Sequence, residues 1–227
     1  LRGLLPIPSD TIVGLYHPFL DLYAKISPQG VPFKNFLITD PVRQIIPWKE
    51  LSVDLLSRFE VPLWNPYEMA GKPLLANFQS GFFYPLNLLL LIKPLSISWS
   101  IFIMFAPLLS SIFTFAYLKN LKLDDRASIL GAILFAFGGF SIAWLEWGNI
   151  GHTALWLPLI LLSIDKIVSQ KILNFKWPFV FLFSLVLSFF AGHLQIFFYV
   201  FTVSFAYLLF RWFEYGRKLQ TLKLFAI

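Results

Sequence analysis

Long apolar runs separated by short polar connections occupy the chain from Ser96 to Phe213. An α-helix rises about 1.5 Å per residue, so roughly 20 apolar residues are needed to cross the hydrocarbon of a bilayer. Three such runs lie at residues 96–118, 127–147 and 153–168, although the third is shorter. Only 13% of all residues are charged, whereas a soluble domain has about 25%. Lipid must therefore cover part of the surface.

The segment 173–213 is too long to be a single crossing. As one helix it would measure about 60 Å, twice the thickness of the hydrocarbon. Gly192 lies near its middle, and glycine commonly ends helices. The sequence therefore predicts two crossings, at residues 173–190 and 194–213, joined by a tight turn.

Basic residues fall in alternate connections between these runs. Ten of the 18 lie in three of the connections: Lys119, Lys122, Arg126, Lys166, Lys171, Lys176, Arg211, Arg217, Lys218 and Lys223. The other two connections, 148–152 and 191–193, contain none. Because cytoplasmic loops are enriched in Lys and Arg, we expect these ten to face the cytoplasm. The sequence therefore predicts an all-α fold, a multi-pass transmembrane helical bundle. Its first predicted interaction is with the lipid bilayer around it.

Residues 1–81 are predicted to form one long extracytoplasmic loop with short helices. Its many prolines exclude a long regular helix. The following segment, 82–95, has too few apolar residues to cross, so we expect a re-entrant or interfacial helix there. A short amphipathic helix is predicted at residues 47–59. Its apolar side would carry Trp48, Leu51, Leu55 and Leu56.

Both ends of the chain look truncated, and several kinds of chemistry lack their residues. The chain begins without a signal region and ends in the start of a further apolar segment, so we expect a piece of a longer protein. With no cysteine, it has neither disulfides nor thiolate metal sites. No phosphate-binding glycine loop, Gly-x-Ser-x-Gly or His-Glu-x-x-His pattern occurs. We predict no cofactor and no nucleic-acid partner. A divalent metal is possible, but no motif in the sequence supports one.

Two carboxylates of the loop are candidate general bases, Asp10 and Asp40. A carboxylate at the membrane surface beside apolar residues is partly desolvated, which raises its pKa and suits it to accept a proton. The alternative is structural. Asp10 would cap a helix that starts at Thr11, and Asp40 would cap the turn at Pro41. The residue types alone favour capping.

A segment rich in aromatic and amide side chains follows at residues 61–85. Trp64, Asn65 and Gln79 are of the types that stack on a sugar ring and hydrogen-bond its hydroxyl groups. The alternative is an aromatic belt at the membrane interface, where Trp and Tyr accumulate in any case. Composition alone favours the belt.

Four polar side chains lie at helix ends predicted to be extracytoplasmic: Glu146, His152, His193 and Gln195. Ionisable groups at such places are candidates for function, so together they could line a cavity. Ordinary hydrogen bonds to neighbouring loops are the more common role. Metal binding by the two histidines lacks the spacing of a known metal motif.

One block of motifs resembles the bacterial YfhO-type membrane protein family. It runs through Asp40-x-x-x-Gln44-x-x-Pro47, Pro62-Leu63-Trp64-Asn65-Pro66-Tyr67, Gly71-x-Pro73-Leu74-Leu75-Ala76-Asn77-x-Gln79 and Tyr84-Pro85. Weaker matches follow at Gly151-His152, Trp156-Leu157-Pro158 and Gly192-His193-x-Gln195. The resemblance covers most of the chain and implies a bacterial plasma membrane location and a GT-C-like fold.

The same resemblance implies an activity. GT-C glycosyltransferases transfer a sugar from a polyprenyl-phosphate donor to an extracytoplasmic acceptor, and an acidic residue of their first external segment is essential. Carried over here, that residue is Asp40 or Asp10, with Asp40 favoured because it lies in the matching block. Arg43 would meet the charge of the leaving phosphate, and Trp64, Asn65 and Gln79 would hold the sugar. Gln44 belongs to the same block and is counted with the binding residues.

Two other functions remain open at the level of sequence. A transporter or lipid flippase would need polar groups near the middle of the bilayer, whereas the ionisable residues here lie at helix ends. A scaffold that binds partners through residues 1–81 is the third possibility, and nothing in the sequence excludes it.

Overall fold

The chain is mostly helical, as expected. A computed structural model describes residues 6–26, 29, 38–169 and 174–214. It is 73% helix and 2% strand. Within these described residues, four helical segments are long and apolar enough to cross a membrane: Leu95–Asn120, Asp125–Ala143, Asn149–Ser169 and Leu194–Glu214. The prediction of a helical membrane protein with several crossings is confirmed at this level.

The structure divides into two compact units. The first comprises residues 1–102 together with 146–148, and the second comprises 103–145 together with 149–227. The long helix that begins at Leu95 contributes its first two turns to the first unit and its remainder to the second.

The first unit is built from short elements, in keeping with its prolines. Its elements in chain order are α1 (Asp10–Leu15), α2 (Phe19–Ile26), a π-helical turn (Pro41–Ile45), α3 (Ile46–Ser57), β1 (Trp64–Asn65), β2 (Lys72–Pro73), two 3-10 helices (Phe78–Ser80 and Pro85–Leu91) and the start of α4 (Leu95–Asn120). The strands pair antiparallel, with Trp64 opposite Pro73 and Asn65 opposite Lys72. The expected interfacial segment 82–95 contains the second 3-10 helix.

Helix α3 forms close to the place predicted, but its buried side is only partly the one expected. Its buried residues are Trp48, Lys49, Ser52 and Val53. Trp48 is thus buried as expected, whereas Leu51, Leu55 and Leu56 are only partly covered. The helix is turned this way because Lys49 is hydrogen-bonded to the chain at residues 80–87, so the buried side of α3 faces the 3-10 helices.

The second unit consists of helices only, among the described residues. After α4 come α5 (Asp125–Ala136), α6 (Gly139–Ala143), α7 (Asn149–Ala154), α8 (Leu157–Ser169), α9 (Lys176–Phe190) and α10 (Leu194–Glu214). The crossing expected at residues 127–147 is interrupted, because Gly138 takes an extended conformation between α5 and α6. The Ser141 hydroxyl donates to the Phe135 carbonyl (2.9 Å), which satisfies one backbone group freed by the break.

Helix α8 packs against both α9 and α10. Between α9 and α10 the chain turns at Gly192, whose φ of +102° suits glycine. This turn falls where the sequence placed one. Two contacts tie α7 to the neighbourhood of the turn: the Asn149 amide donates to the Gly192 carbonyl (3.5 Å), and the Ser188 hydroxyl donates to the Thr153 carbonyl (2.8 Å).

The C-terminal ends of α4, α8 and α10 meet at Asp165, which is 2% exposed. Its carboxylate accepts hydrogen bonds from Asn120 (3.0 Å), Tyr207 (2.8 Å) and the Arg211 guanidinium (2.6 Å). The Tyr117 hydroxyl in turn donates to the Tyr207 hydroxyl (3.0 Å). We call these five residues the Asp165 junction. The C-terminal ends of these three helices therefore lie together at one end of the second unit.

Candidate functional site

Glu68 is the centre of a polar cluster in the first unit, which also contains Trp48, Asn65 and Lys72 and which we call the Glu68 cluster. One carboxylate oxygen accepts from the Trp48 indole (2.7 Å) and the Asn65 amide (3.3 Å). The other lies 2.6 Å from the Lys72 ammonium. That ammonium also lies 4.6 Å from the centre of the Trp48 ring, a cation–π contact. Helix α3 and the strand pair are joined through these contacts.

The chain between β1 and β2 is shaped to bring these groups together. The Asn65 side-chain oxygen accepts from the Tyr67 backbone amide (3.0 Å), which starts the turn. Met69, Ala70 and Gly71 then follow with positive φ. Such angles are uncommon for Met and Ala, and they complete the reversal that puts Lys72 opposite Asn65.

The Glu68 carboxylate is held in its ionised form. The pKa of Glu68 lies below its ordinary value because its carboxylate accepts hydrogen bonds. The bond from Lys72 has the larger effect and the bond from Trp48 the next largest. A carboxylate of this kind is a poor base near neutral pH because it gives up its proton readily. It is well suited to accept hydrogen bonds from hydroxyl groups, since both Glu68 and Lys72 remain partly accessible.

Trp64 is an exposed aromatic surface next to this cluster. A Cβ atom added at Gly71 would lie 2.6 Å from the Trp64 ring, so the ring packs directly against the glycine backbone. The Trp64 residue is nevertheless 52% exposed. Because side chains alternate along a strand, Trp64 points outward where Asn65 points inward. The two residues therefore do not form the single sugar-binding surface expected of them.

The predicted residues on the approach to α3 lie apart from the cluster. Asp40 is exposed and precedes Pro41, and its side chain makes no capping hydrogen bond, so the expected cap is absent. The Arg43 guanidinium lies 5.4 Å from the centre of the Tyr16 ring. Gln44 is half-buried. About 10 Å of helix separates Asp40 from the part of α3 that joins the cluster.

Two further candidates of the first unit have simple surroundings. Asp10 is the first residue of α1, with Ser9 at the N-cap, so the helix does not start at Thr11 as expected. The Asp10 side chain lies outside the described part of the structure. Gln79 is exposed, and its backbone amide donates to the Asn77 side chain (3.2 Å).

The four helix-end candidates are divided between the units. Glu146 belongs to the first unit and is half-buried in a 3-10 turn. His152, in α7 of the second unit, is completely buried. His193 is half-buried in the turn after α9, and burial lowers the pKa of its imidazole. Gln195 is exposed and its amide donates to the Tyr199 hydroxyl (2.8 Å). Within the described ranges, no three His, Asp or Glu side chains are grouped so that they could hold a metal ion.

An apolar groove of about 320 Å³ lies within the second unit, at the break between α5 and α6. It is bordered by α4, by the residues around Gly138 and by α7, and its lining is mainly small or apolar. Ala106, Ser110 and Gly151 are typical of these lining residues. The helix break leaves room that a continuous helix would fill.

Three residues of the first unit were missed at the level of sequence: Lys49, Glu68 and Lys72. The spacing of Glu68 and Lys72 is that of an ion pair on one helix turn, which was an available signal. The sequence around Lys49 contained no such signal, because a lysine in a short helix is ordinarily exposed. In the structure it is 1% exposed, and its ammonium donates to the Ser80 carbonyl (3.2 Å) and the Asn87 side chain (2.9 Å).

Comparison with known proteins yields no relative for this chain. No family model matches it, no curated protein matches it, and no solved structure matches it. Its site is therefore described by its own geometry alone.

Proposed function

We propose that the protein is an integral-membrane glycosyltransferase of the GT-C type, in the bacterial plasma membrane. It would transfer a sugar from a polyprenyl-phosphate donor to an acceptor outside the cytoplasm, with residues 1–81 on that side. The YfhO-like motif block supports the proposal, since it contains Trp64, Asn65 of the Glu68 cluster, and Gly71.

The observation that carries the proposal is the surface formed by Trp64 and Gly71. A flat ring whose one side is packed against backbone and which remains half exposed offers a stacking surface of fixed orientation. The partly accessible carboxylate of Glu68 and ammonium of Lys72 lie on the neighbouring strand and turn. A sugar has apolar C–H faces and hydroxyl edges. The Trp64 ring would stack on a C–H face, and the Glu68 and Lys72 side chains would hydrogen-bond the hydroxyl groups.

The chemistry proposed is a single displacement at the anomeric carbon. An acceptor hydroxyl forms the new C–O bond while the bond to the polyprenyl phosphate breaks, and the phosphate leaves with the electron pair. The hydroxyl proton passes to a general base. Asp40, with Asp10 as the second candidate, is proposed for this role, because the exposed Asp40 carboxylate makes no capping bond. The constrained Glu68 is better suited to hold the sugar.

A lipid-linked substrate also needs an apolar place for its chain. The groove at the break between α5 and α6 has such a lining. Its small residues leave width for a branched hydrocarbon chain. We therefore propose this groove for the polyprenyl chain.

Reconstitution of the full-length protein with a radiolabelled polyprenyl-phosphate sugar tests the proposal. Trp64→Ala is expected to raise the KM for the donor about tenfold or more, because one stacked ring is lost. Phe59→Ala removes another exposed aromatic side chain of the same unit and is expected to leave KM unchanged. Equal kinetics for the two variants would contradict the assignment of Trp64.

The base is tested in the same assay by Asp40→Asn and Asp10→Asn. Loss of a general base is expected to lower kcat about 100-fold or more with little change in KM. Asp54→Asn is the control, since Asp54 is an exposed carboxylate on α3 that pairs with Arg58. Full transfer by both test variants would remove the proposed base. Translocation of a fluorescent lipid without sugar transfer would instead support a flippase.

A further inference from the structure

Helix α2 has an apolar side that the described part of the chain leaves exposed. None of its eight residues is buried. Phe19, Leu22 and Ile26 are 51%, 54% and 82% exposed. Helix α3, of the same unit, buries four of its twelve residues. Among the described residues, the two helices of this unit therefore differ in how far their side chains are covered.

The apolar and polar residues of α2 lie on different sides. At 3.6 residues per turn, Phe19, Leu22 and Ile26 fall within an arc of about 60°, while Lys25 and Asp21 lie about 90° and about 130° from the centre of that arc. The polar side is reinforced at its start by the pairing of His17 with Asp21 (2.8 Å). A short helix with these two sides is typical of one that lies in the plane of a membrane interface.

We propose that α2 lies flat in the lipid–water interface, with Phe19, Leu22 and Ile26 in contact with acyl chains. The lipid bilayer is the occupant favoured because the same unit contains the first two turns of α4, a helix long and apolar enough to cross the membrane. A bilayer crossed by α4 would adjoin this unit, so its lipid is available to cover the apolar side of α2. Asp21 and Lys25 remain in water.

This placement gives α2 a role independent of sugar transfer. A helix held in the interface fixes the height of the attached chain relative to the lipid head groups. Its apolar side would sink about 5–10 Å below them, which matches the radius of a helix with its side chains. The neighbouring α1 packs against α2 and would be carried with it.

Spin labelling of the complete chain in liposomes tests the proposal directly. Because the chain has no cysteine, single cysteines can be placed at positions 19, 22 and 26 and, as matched controls, at 21 and 25. Collision rates with oxygen, which concentrates in lipid, and with a water-soluble nickel complex are then compared. The ratio of oxygen to nickel collisions is expected to be at least fivefold higher at positions 19, 22 and 26 than at the controls.

Two other outcomes would overturn the proposal. If the spin labels at all five positions collided equally often with the nickel complex, the whole helix would lie in water. Shielding from both reagents at positions 19, 22 and 26 would mean that protein, such as a second copy of the chain, covers the apolar side. As a second variant, Leu22→Asp should raise nickel accessibility at position 19 while the label at position 21 stays unchanged. No change at position 19 would also count against lipid contact.

Discussion

At the scale of single residues, Lys49 is a charged group strongly altered by its burial. Its ammonium makes two hydrogen bonds and lies 5.2 Å from the centre of the Phe102 ring. Among the described residues no carboxylate pairs with it. Burial therefore lowers the pKa of Lys49 to about 7, because the charged form is poorly solvated.

This pKa predicts how stability depends on pH. Between about pH 7 and pH 10.5 the unfolded chain keeps the Lys49 proton while the folded chain has lost it. The free energy of unfolding should then rise with pH across this window, by at most about 1.4 kcal/mol per pH unit. Below pH 7 both states are protonated, so Lys49 adds no slope. Melting temperatures of the wild type and Lys49→Met in detergent, from pH 6 to pH 9, measure the difference.

Lys93→Met is the matched control, because Lys93 is an exposed lysine of the same unit. This variant should keep the pH dependence of the wild type, whereas Lys49→Met should flatten it. Parallel curves for the wild type and Lys49→Met would show that Lys49 keeps its proton in the folded chain.

Gly71 supports a second prediction at this scale. Its φ is +107°, and an added Cβ atom would lie 2.6 Å from the Trp64 ring. Gly71→Ala should therefore destabilise the protein by about 1–3 kcal/mol, through backbone strain and displacement of the ring. Gly139→Ala is the control, since a Cβ atom there meets nothing within 4 Å. Calorimetric melting temperatures should fall by several degrees for the first variant only. Equal melting temperatures for the two would contradict the packing described for Trp64.

At the scale of helices, the Asp165 junction holds three C-terminal ends together. Asp165→Asn removes the charge that pairs with Arg211, an ion pair whose side chains are 2% and 15% exposed. Breaking a buried pair from one side commonly costs about 3–5 kcal/mol. The apparent melting temperature in lipid nanodiscs should fall by about 5 °C or more.

An exposed ion pair gives the comparison for this prediction. The side chains of Asp54, on α3, and of Arg58, just after it, are 43% and 62% exposed, so Asp54→Asn should cost at most about 1 kcal/mol. Similar melting temperatures for Asp165→Asn and Asp54→Asn would show that the junction contributes little to stability.

Helices were more predictable than the site because their signal is local. Runs of apolar residues place a crossing without knowledge of any partner, and Gly192 marks the turn by itself. The break at Gly138 was missed because glycines in a membrane helix also serve close packing. The Glu68 cluster joins Trp48 to Glu68, 20 residues apart, through a turn of unusual φ angles. No local pattern encodes such a contact.

The apolar stripe of α2 was visible in the sequence as a spacing of three and four residues at Phe19, Leu22 and Ile26. This spacing alone does not show whether the stripe is covered by other parts of a fold. In the structure, none of the residues of α2 is buried.

At the scale of the whole molecule, the distribution of basic residues predicts the orientation in the membrane. A cysteine at Tyr67, which is 85% exposed, should react with a membrane-impermeant maleimide on intact cells. A cysteine at Lys122 should react only after permeabilisation, because its connection is rich in basic residues. The chain has no native cysteine, so each label reports one position. If the cysteines at positions 67 and 122 reacted in the same compartment, the proposed extracytoplasmic location of residues 1–81 would be wrong.

The Asp165 junction also has a consequence for biosynthesis. Asp165 and Arg211 are 46 residues apart in the chain. At about 5–20 residues per second, translation leaves the carboxylate of α8 without its guanidinium for roughly 2–9 seconds. During that interval α8 must wait beside the insertion machinery or near the head groups, since an unpaired charge is costly in hydrocarbon. The emergence of α10 thus completes a junction whose other members were made before it.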